Sequence, residues 1–336
     1  TRSRCTRHQR RAGLVENLAL SSMQAPQIPQ GQNWQVRDFE FECGQTMPEL
    51  RLHYATLGNP DGEPVLLLHG TLQSGAAFFG PQFGGELFGP GQPLDTSRYF
   101  LIAPDAIGTG RSCKPSDGLR TRFPRYTYGD MVRAQHRLVT EHLGICHLRL
   151  VLGNSMGGMH TWMWAQQHPG MLDIAVPMAS LPTPMSGRNW MLRRMLCESI
   201  RQDPAWKGGD YTAQRRSWRW ASPFFALATN GGDLALHYQA PTRAQADAIV
   251  YARLNTPLPA DANDTLYQWE ASADYDASRQ LESIRATLLA INADDDERYP
   301  PALGLLQQAI TRVPQGRMLR IPASAGTAGH GTTVQA

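Results

Sequence analysis

Cysteine is scarce in this sequence, and its spacing argues against the structures that cysteine-rich chains build. The 336 residues contain five cysteines and no C-x-x-C pair. A zinc site or a disulfide framework needs paired cysteines, so we expect neither, and we expect no metal ion or cofactor. The odd number favours a reducing compartment, hence the cytoplasm, while export after removal of a signal stays open. The five are Cys5, Cys43, Cys113, Cys146 and Cys197.

Long apolar runs and an excess of one charge are also missing. No stretch approaches the roughly 20 apolar residues of a transmembrane helix, so we predict no membrane span. Lysine and arginine total 32 against 29 aspartate and glutamate residues, a balance that favours neither nucleic acid nor membrane binding. Residues 1–32 are rich in Gln, Ser, Arg and Pro without periodicity, and we predict a poorly ordered N-terminal arm there.

Short apolar runs alternate with helical stretches along the rest of the chain. Residues 39–43 and 50–54 alternate apolar and polar side chains around a turn, which predicts a β-hairpin. Continuous apolar runs predict strands that are buried on both faces, and the intervening stretches predict helices. This alternation indicates a mostly parallel sheet with helices on both faces. The strands are expected at 64–70, 99–105, 148–153, 286–291 and 317–321, and helices at 128–143 and 156–168.

The alternation stops between two predicted core strands. Residues 181–283 carry helical patterning and many tryptophans and tyrosines, which predicts an inserted helical cap over the sheet's C-terminal edge. The aromatic rings either pack the cap on itself or line a substrate pocket. The predicted core is therefore in two parts, residues 33–180 and 284–336.

One serine stands in a motif suited to nucleophilic catalysis. Ser155 lies in Gly153-Asn154-Ser155-Met156-Gly157, after a predicted strand and before a predicted helix. Glycines two positions before and after the serine permit the sharp turn that presents its hydroxyl above the sheet. A solvated serine in a glycine-rich turn is the alternative. The context favours a nucleophile.

A serine hydroxyl needs a base, and the base needs an acid. Of the ten histidines, His330 lies in a glycine-rich segment after the last predicted strand, where a mobile loop could present its ring to Ser155. The other histidines are expected to be structural or exposed. The acid is expected among Asp294, Asp295 and Asp296, and Asp105 stays open on sequence alone.

An anionic intermediate also needs two backbone N–H donors. Met156, which follows the nucleophile, is expected to supply one. Thr71 or Leu72, in the loop after the strand that ends at His69-Gly70, is expected to supply the other.

From residue 39 to the C-terminus the sequence resembles the α/β-hydrolase superfamily, specifically its homoserine O-acetyltransferase-like branch. Residues 94–100, 155–159 and especially 203–211 (Asp-Pro-Ala-Trp-Lys-Gly-Gly-Asp-Tyr) carry the resemblance. The resemblance places the catalytic acid four residues before a proline that starts a helix. Counting back from Pro300, it implies Asp296, with Asp295 as the rival.

Three features depart from this branch. The resemblance implies an arginine six residues before the Asp-Pro pair, where it meets the substrate carboxylate, but this position is Cys197. Arg193, Arg194 or Arg201 are candidates to replace it. An aspartate is expected after the catalytic histidine, but Gly331 stands there. Relatives are also expected to continue into a further helix, whereas six residues follow His330.

The leading hypothesis is therefore a serine ester hydrolase that acts on a small-molecule ester or acyl substrate through an acyl-enzyme on Ser155. The alternative is an O-acyltransferase that moves an acetyl group from acetyl-CoA to an alcohol. A third hypothesis is a hydrolase-fold protein that binds a ligand without turnover. Assembly as a homodimer stays open.

Overall fold

A mostly parallel β-sheet forms the centre of the molecule. The computed structural model describes residues 29–212, 217–229, 231–256 and 260–334. Its strands are β1 (Gln30–Glu40), β2 (Thr46–Gly58), β3 (Glu63–Leu68), β4 (Tyr99–Pro104), β5 (Leu148–Asn154), β6 (Leu172–Met178), β7 (Thr287–Ala293) and β8 (Gly316–Ile321). They lie in the order β1-β2-β4-β3-β5-β6-β7-β8. The β1–β2 and β2–β4 pairs are antiparallel, and the other neighbouring pairs are parallel.

Strand β3 shows why the central strands are continuously apolar. Leu66 and Leu68 pack in one hydrophobic cluster, while Val65 and Leu67 pack in a second cluster. Successive side chains of a strand point to opposite faces, so both faces of the sheet are covered. In such a sheet, ligands bind at the carboxyl ends of the parallel strands, where the connecting loops meet.

Helices flank the sheet and fill the connection between β6 and β7. None of the helices in the described ranges is long and apolar enough to cross a membrane. The α-helices are α1 (Gly84–Leu87), α2 (Tyr128–Arg137), α3 (Met156–Gln167), α4 (Gly187–Arg201), α5 (Ser217–Thr229), α6 (Asp233–Gln239), α7 (Arg243–Asn255), α8 (Ala262–Glu270) and α9 (Leu305–Ile310). Helices α4 to α8 occupy the region where the sequence predicts a cap.

The predicted fold class is confirmed, with differences in individual elements. The sequence did not indicate β6, because Asp173 and Pro177 interrupt its apolar run. Strand β1 begins at Gln30, inside the range predicted as a poorly ordered arm, and residues 1–28 lie outside the described residues. The predicted helix over 128–143 is α2 followed by a π-helical segment, Leu138–His142. The boundaries of the predicted cap and of the two core parts stay predictions.

Candidate active site

Ser155 occupies a strained turn between β5 and α3. Its backbone has φ 56° and ψ −113°, an unusual conformation for a residue with a side chain. Its N–H donates to the carbonyl of Met178 on the neighbouring strand at 2.9 Å, and its carbonyl accepts from Met159 at 3.0 Å. These contacts hold the turn, which is the geometry expected of a nucleophile elbow.

The flanking glycines are required by close backbone approach. A Cβ at Gly157 would lie 1.8 Å from the carbonyl oxygen of Leu68, and one at Gly153 would lie 2.1 Å from the carbonyl oxygen of Gly157. Any side chain at these positions would push β3, β5 and α3 apart. The glycines therefore let the turn that carries Ser155 pack tightly against the ends of the central strands.

The structure brings Ser155 together with the predicted base and acid. Ser155 Oγ lies 2.8 Å from His330 Nε2, and His330 Nδ1 lies 2.8 Å from Asp296 Oδ2. An ionised carboxylate only accepts hydrogen bonds, so His330 Nδ1 carries the proton and Nε2 accepts from the serine hydroxyl. All three residues are buried. This arrangement can remove the serine proton and stabilise the resulting imidazolium.

The three consecutive aspartates have different contacts. Asp296 contacts the imidazole and also accepts from the backbone N–H of Arg298 at 2.8 Å. Asp295, the rival candidate, accepts instead from Thr327 Oγ1 at 2.6 Å and from the N–H of Gly329 at 3.3 Å. Asp294 pairs with Arg320. Only Asp296 among them contacts the His330 ring in the described structure.

The segment that carries His330 is tied to the core, whereas the sequence suggested a mobile loop. It forms a 3₁₀ helix, Gly329–Val334. Thr333 Oγ1 donates to Asn154 Oδ1 at 2.5 Å, next to Ser155, and Thr332 Oγ1 accepts from the N–H of Ala328 at 2.9 Å. These hydrogen bonds fix the imidazole in position before substrate arrives.

Burial and nearby cations favour the neutral form of His330. Burial is the main reason that the pKa of its imidazole lies below the usual value, and the charge of Arg298 acts in the same direction. Asp296 opposes this effect, and Arg193 adds weakly to it. Sequence reasoning did not single out Arg298. Its only signal was its position two residues after the candidate acid.

One predicted donor for an oxyanion, Met156, directly follows Ser155 in the chain, and the others are in the loop after β3. Met156 is the first residue of α3. A Cβ built at Gly70 would lie 3.6 Å from Ser155 Cβ, so the start of the loop after β3 lies next to Ser155. In this loop, Gln73 Oε1 accepts the N–H of Gly70 at 3.1 Å. Because that contact occupies the N–H of Gly70, Thr71 and Leu72 remain the candidates for the second oxyanion donor. Leu72 has a positive φ of 61°.

The competing candidates have structural contacts. His69 Nδ1 lies 2.8 Å from the Gly70 carbonyl, and its Nε2 accepts the N–H of Ala106 at 2.9 Å. Burial lowers the pKa of His69. Asp105 accepts from the N–H groups of Gly75 and Arg111, both at 2.8 Å, and contacts His53 at 2.9 Å. These contacts explain the burial of both groups without a catalytic role. The described residues contain no cluster of three or more His, Cys, Asp or Glu side chains placed to hold a metal ion.

The arginines proposed as replacements at position 197 differ in their environments. Cys197 itself is buried, and burial raises the pKa of its thiol to about 12, so it is neutral. Arg194 and Arg201 both pair with Glu198 and Glu270. Arg193 lies one helical turn before Cys197, on the same face of α4. It is 1% exposed, and its guanidinium donates to the neutral side chains of Asn189 and Ser272.

Comparisons with known proteins agree with the fold and with the motif resemblance. A family model described as the α/β hydrolase fold matches residues 63–325. The homoserine O-acetyltransferase of Haloarcula marismortui is 30% identical over 308 residues, which cover 76% of this chain and 74% of that protein. That of Natronomonas pharaonis is 33% identical over 193 residues, 52% of this chain and 48% of the relative. In that match the chain spans about half of the relative's length.

Solved structures show the same architecture. An acetylester hydrolase from Corynebacterium glutamicum superposes with a TM-score of 0.77 at 22% identity, covering 91% of this chain and 92% of that one. The fold and the serine turn define an α/β-hydrolase enzyme. The chain belongs to the α/β-hydrolase family, in its homoserine O-acetyltransferase-like branch.

Proposed function

We propose that this chain transfers acyl groups from an ester or thioester donor to an alcohol, through a covalent acyl-enzyme on Ser155. The observation that carries the proposal is the hydrogen-bonded series from Ser155 through His330 to Asp296, with both distances at 2.8 Å. The curated relatives named homoserine O-acetyltransferase support transfer to an alcohol. They favour this alternative over the ester hydrolase that the sequence placed first.

In the first half-reaction, His330 Nε2 takes the proton of the Ser155 hydroxyl as Oγ attacks the acyl carbonyl carbon. The N–H groups of Met156 and of Thr71 or Leu72 stabilise the oxyanion. The intermediate then collapses, and the bond to the leaving group breaks. His330 donates its new proton to the departing alcohol or thiol, which leaves the acyl group on Ser155. Asp296 stabilises the imidazolium throughout.

The second half-reaction repeats these steps with a new acceptor. His330 takes the proton of the acceptor hydroxyl, whose oxygen attacks the acyl carbon, and the proton returns to Ser155 as the new ester leaves. The chemistry up to the acyl-enzyme does not depend on the acceptor. The acceptor is therefore chosen by the pocket, not by the three catalytic candidates.

Hydrolysis, with water as the acceptor, is the second candidate. It is favoured by Cys197 and Gly331, which stand where the family resemblance implies an arginine and an aspartate that meet an amino-acid acceptor. A neutral, buried thiol cannot form a bidentate ion pair with a carboxylate. If nothing replaces these groups, water is the acceptor that remains.

The test measures thiol release from acetyl-CoA with and without an alcohol acceptor such as L-homoserine, alongside hydrolysis of p-nitrophenyl acetate. Acceptor-dependent release well above the hydrolytic rate is expected for a transferase. Equal release with and without any acceptor tried would favour the hydrolase. Ser155→Ala should abolish turnover and labelling by a fluorophosphonate probe, and the exposed Ser97→Ala serves as the control. Undiminished turnover or labelling in Ser155→Ala would overturn the proposal.

A further inference from the structure

A short turn between α5 and α6 packs directly against the segment that carries His330. Gly231 and Gly232 belong to this α5–α6 turn, and both are buried. A Cβ built at Gly329, the residue before His330, would lie 3.1 Å from the backbone N and C atoms of Gly231. It would also lie 3.1 Å from the carbonyl oxygen of Asp295. The α5–α6 turn, the loop after β7 and the start of the histidine segment therefore meet backbone to backbone.

Gly232 leaves the space that the side chain of Asp295 occupies. A Cβ built at Gly232 would lie 1.9 Å from Asp295 Oδ2 and 2.8 Å from Asp295 Cγ, far inside van der Waals contact. The backbone of Gly232, with φ −66° and ψ 144°, has a conformation that any residue adopts. Glycine is therefore required here for space and not for backbone freedom.

The oxygen that Gly232 accommodates is the one that holds the histidine segment. Asp295 Oδ2 accepts from Thr327 Oγ1 at 2.6 Å and from the N–H of Gly329 at 3.3 Å. Asp295 Oδ1 is buried and has no hydrogen-bond partner among the described residues. A buried carboxylate is costly without hydrogen bonds, so these two bonds offset its burial. A shift of Asp295 Oδ2 would break them and release the backbone that leads into His330.

A second contact joins α5 to the loop after β7. The guanidinium carbon of Arg298 lies 4.7 Å from the ring centre of Phe225 on α5. The N–H of Arg298 donates to Asp296 Oδ1 at 2.8 Å, and Asp296 Oδ2 lies 2.8 Å from His330 Nδ1. The candidate acid is thus flanked by two residues, Asp295 and Arg298, that contact α5 or the turn after it.

We propose that the α5–α6 region positions His330 through these two contacts, with Gly232 against Asp295 as the principal one and Phe225 against Arg298 as the second. The proposal rests on the proposed acyl transfer, because it concerns the candidate base of that reaction. The helices inserted between β6 and β7 therefore do more than cover the sheet. A side chain at position 232 should slow the chemical step without weakening substrate binding.

Gly232→Ala tests the principal contact with p-nitrophenyl acetate as substrate. Its methyl group would push Asp295 aside, so kcat should fall about ten- to a hundredfold while KM changes by less than about twofold. Gly62→Ala is the control for strain, because its Cβ would lie 2.4 Å from the carbonyl oxygen of Arg98, before the first residue of β3 and away from the carboxyl ends of the strands. It should lower the melting temperature and leave kcat unchanged. A wild-type kcat in Gly232→Ala would overturn the proposal.

A double variant shows whether the effect passes through Asp295. Asp295→Ala alone should lower kcat to a similar extent, because the bonds to the histidine segment are lost. In that background Gly232→Ala should change kcat by no more than about twofold, whereas the losses at two independent sites would multiply. An undiminished further loss in the double variant would overturn the proposal.

Phe225→Leu takes the place of Gly232→Ala if that variant does not fold. It removes the ring under the Arg298 guanidinium without introducing a clash, and kcat should fall about threefold at unchanged KM. Phe224→Leu is its matched control, since Phe224 is the neighbouring residue on α5 and is 61% exposed. Equal kcat values in Phe225→Leu and Phe224→Leu would then overturn the proposal.

Labelling of Ser155 by a fluorophosphonate probe separates this proposal from the proposed function, because labelling needs the base but no acyl acceptor. Suppose that no ester or thioester is turned over, yet Gly232→Ala slows labelling about tenfold, and does not slow it further in the Asp295→Ala background. The proposed function then fails and the positioning role stands. If esters are turned over through Ser155, and Gly232→Ala equals wild type in kcat and labelling, the positioning role is overturned and the proposed function stands.

Discussion

Asp295 Oδ2 accepts a hydrogen bond from Thr327 Oγ1 at 2.6 Å, and this contact ties the loop after β7 to the segment that leads into His330. The same oxygen accepts from the N–H of Gly329. Asp295 therefore holds the backbone on the N-terminal side of the histidine, while the next residue, Asp296, holds its ring. Two adjacent carboxylates therefore position His330, the candidate base: Asp295 fixes the backbone before it and Asp296 orients its imidazole ring.

Thr327 is accordingly expected to act as a positioning residue. Thr327→Val should lower kcat about tenfold with little change in KM, because the valine cannot donate to Asp295 and the His330 ring loses its fixed placement. Thr327→Ser keeps the hydroxyl and should restore most of the rate. Steady-state kinetics with p-nitrophenyl acetate measures both. Equal losses in Thr327→Val and Thr327→Ser would contradict the hydroxyl's role.

Asp296→Asn should have a far larger effect on kcat. The amide leaves the site's shape nearly unchanged but no longer stabilises the imidazolium, and in a comparable serine enzyme this change costs about 10⁴ in kcat. Asp294→Asn is the matched control, since Asp294 lies two positions away and pairs with Arg320 on the partly exposed side. It should retain nearly full activity. A larger loss in Asp294→Asn than in Asp296→Asn would refute the assignment of the acid.

The acid limb of the pH profile of kcat/KM should lie below pH 6.5. Burial and the charge of Arg298 lower the pKa of His330, so the ring stays neutral and able to accept a proton at lower pH than a free imidazole. Activity should therefore be fully present above this range and decline only as the pH falls through the lowered pKa. The measurement is kcat/KM for a neutral ester from pH 4 to 8. A midpoint of the acid limb above pH 6.5 would contradict a lowered pKa of His330.

Gly157→Ala should destabilise the fold by about 3 kcal/mol or more, because overpacking against a backbone atom has no side-chain adjustment to relieve it. The new Cβ would lie 1.8 Å from the Leu68 carbonyl oxygen. Gly170→Ala is the control, since a Cβ there meets no atom within 4 Å. Urea denaturation followed by circular dichroism gives both values. Similar unfolding midpoints for the two variants would show that the elbow can relax.

The fold, and Ser155 as the candidate nucleophile, could be predicted from the sequence because their signals are local. Continuous apolar runs predict strands buried on both faces, and a serine between spaced glycines after such a run has few structural alternatives. His330 could also be proposed from the sequence, because a histidine after the last strand is part of the expected order of serine, acid and histidine along the chain. The interrupted strand β6 was missed, since Asp173 and Pro177 break the apolar run on which prediction depends.

The sequence by itself predicted most of the elements in their order and favoured three consecutive aspartates as the acid, with Asp105 left open. Only the tertiary structure decided which carboxylate contacts the imidazole, since neighbouring residues in a turn point in different directions. It also decided that Arg193 is buried while Arg194 is paired with carboxylates. One step along a helix turns a side chain by about 100°, from the interior to the surface. Burial and charge pairing therefore depend on what packs against each face, which is set by distant parts of the chain.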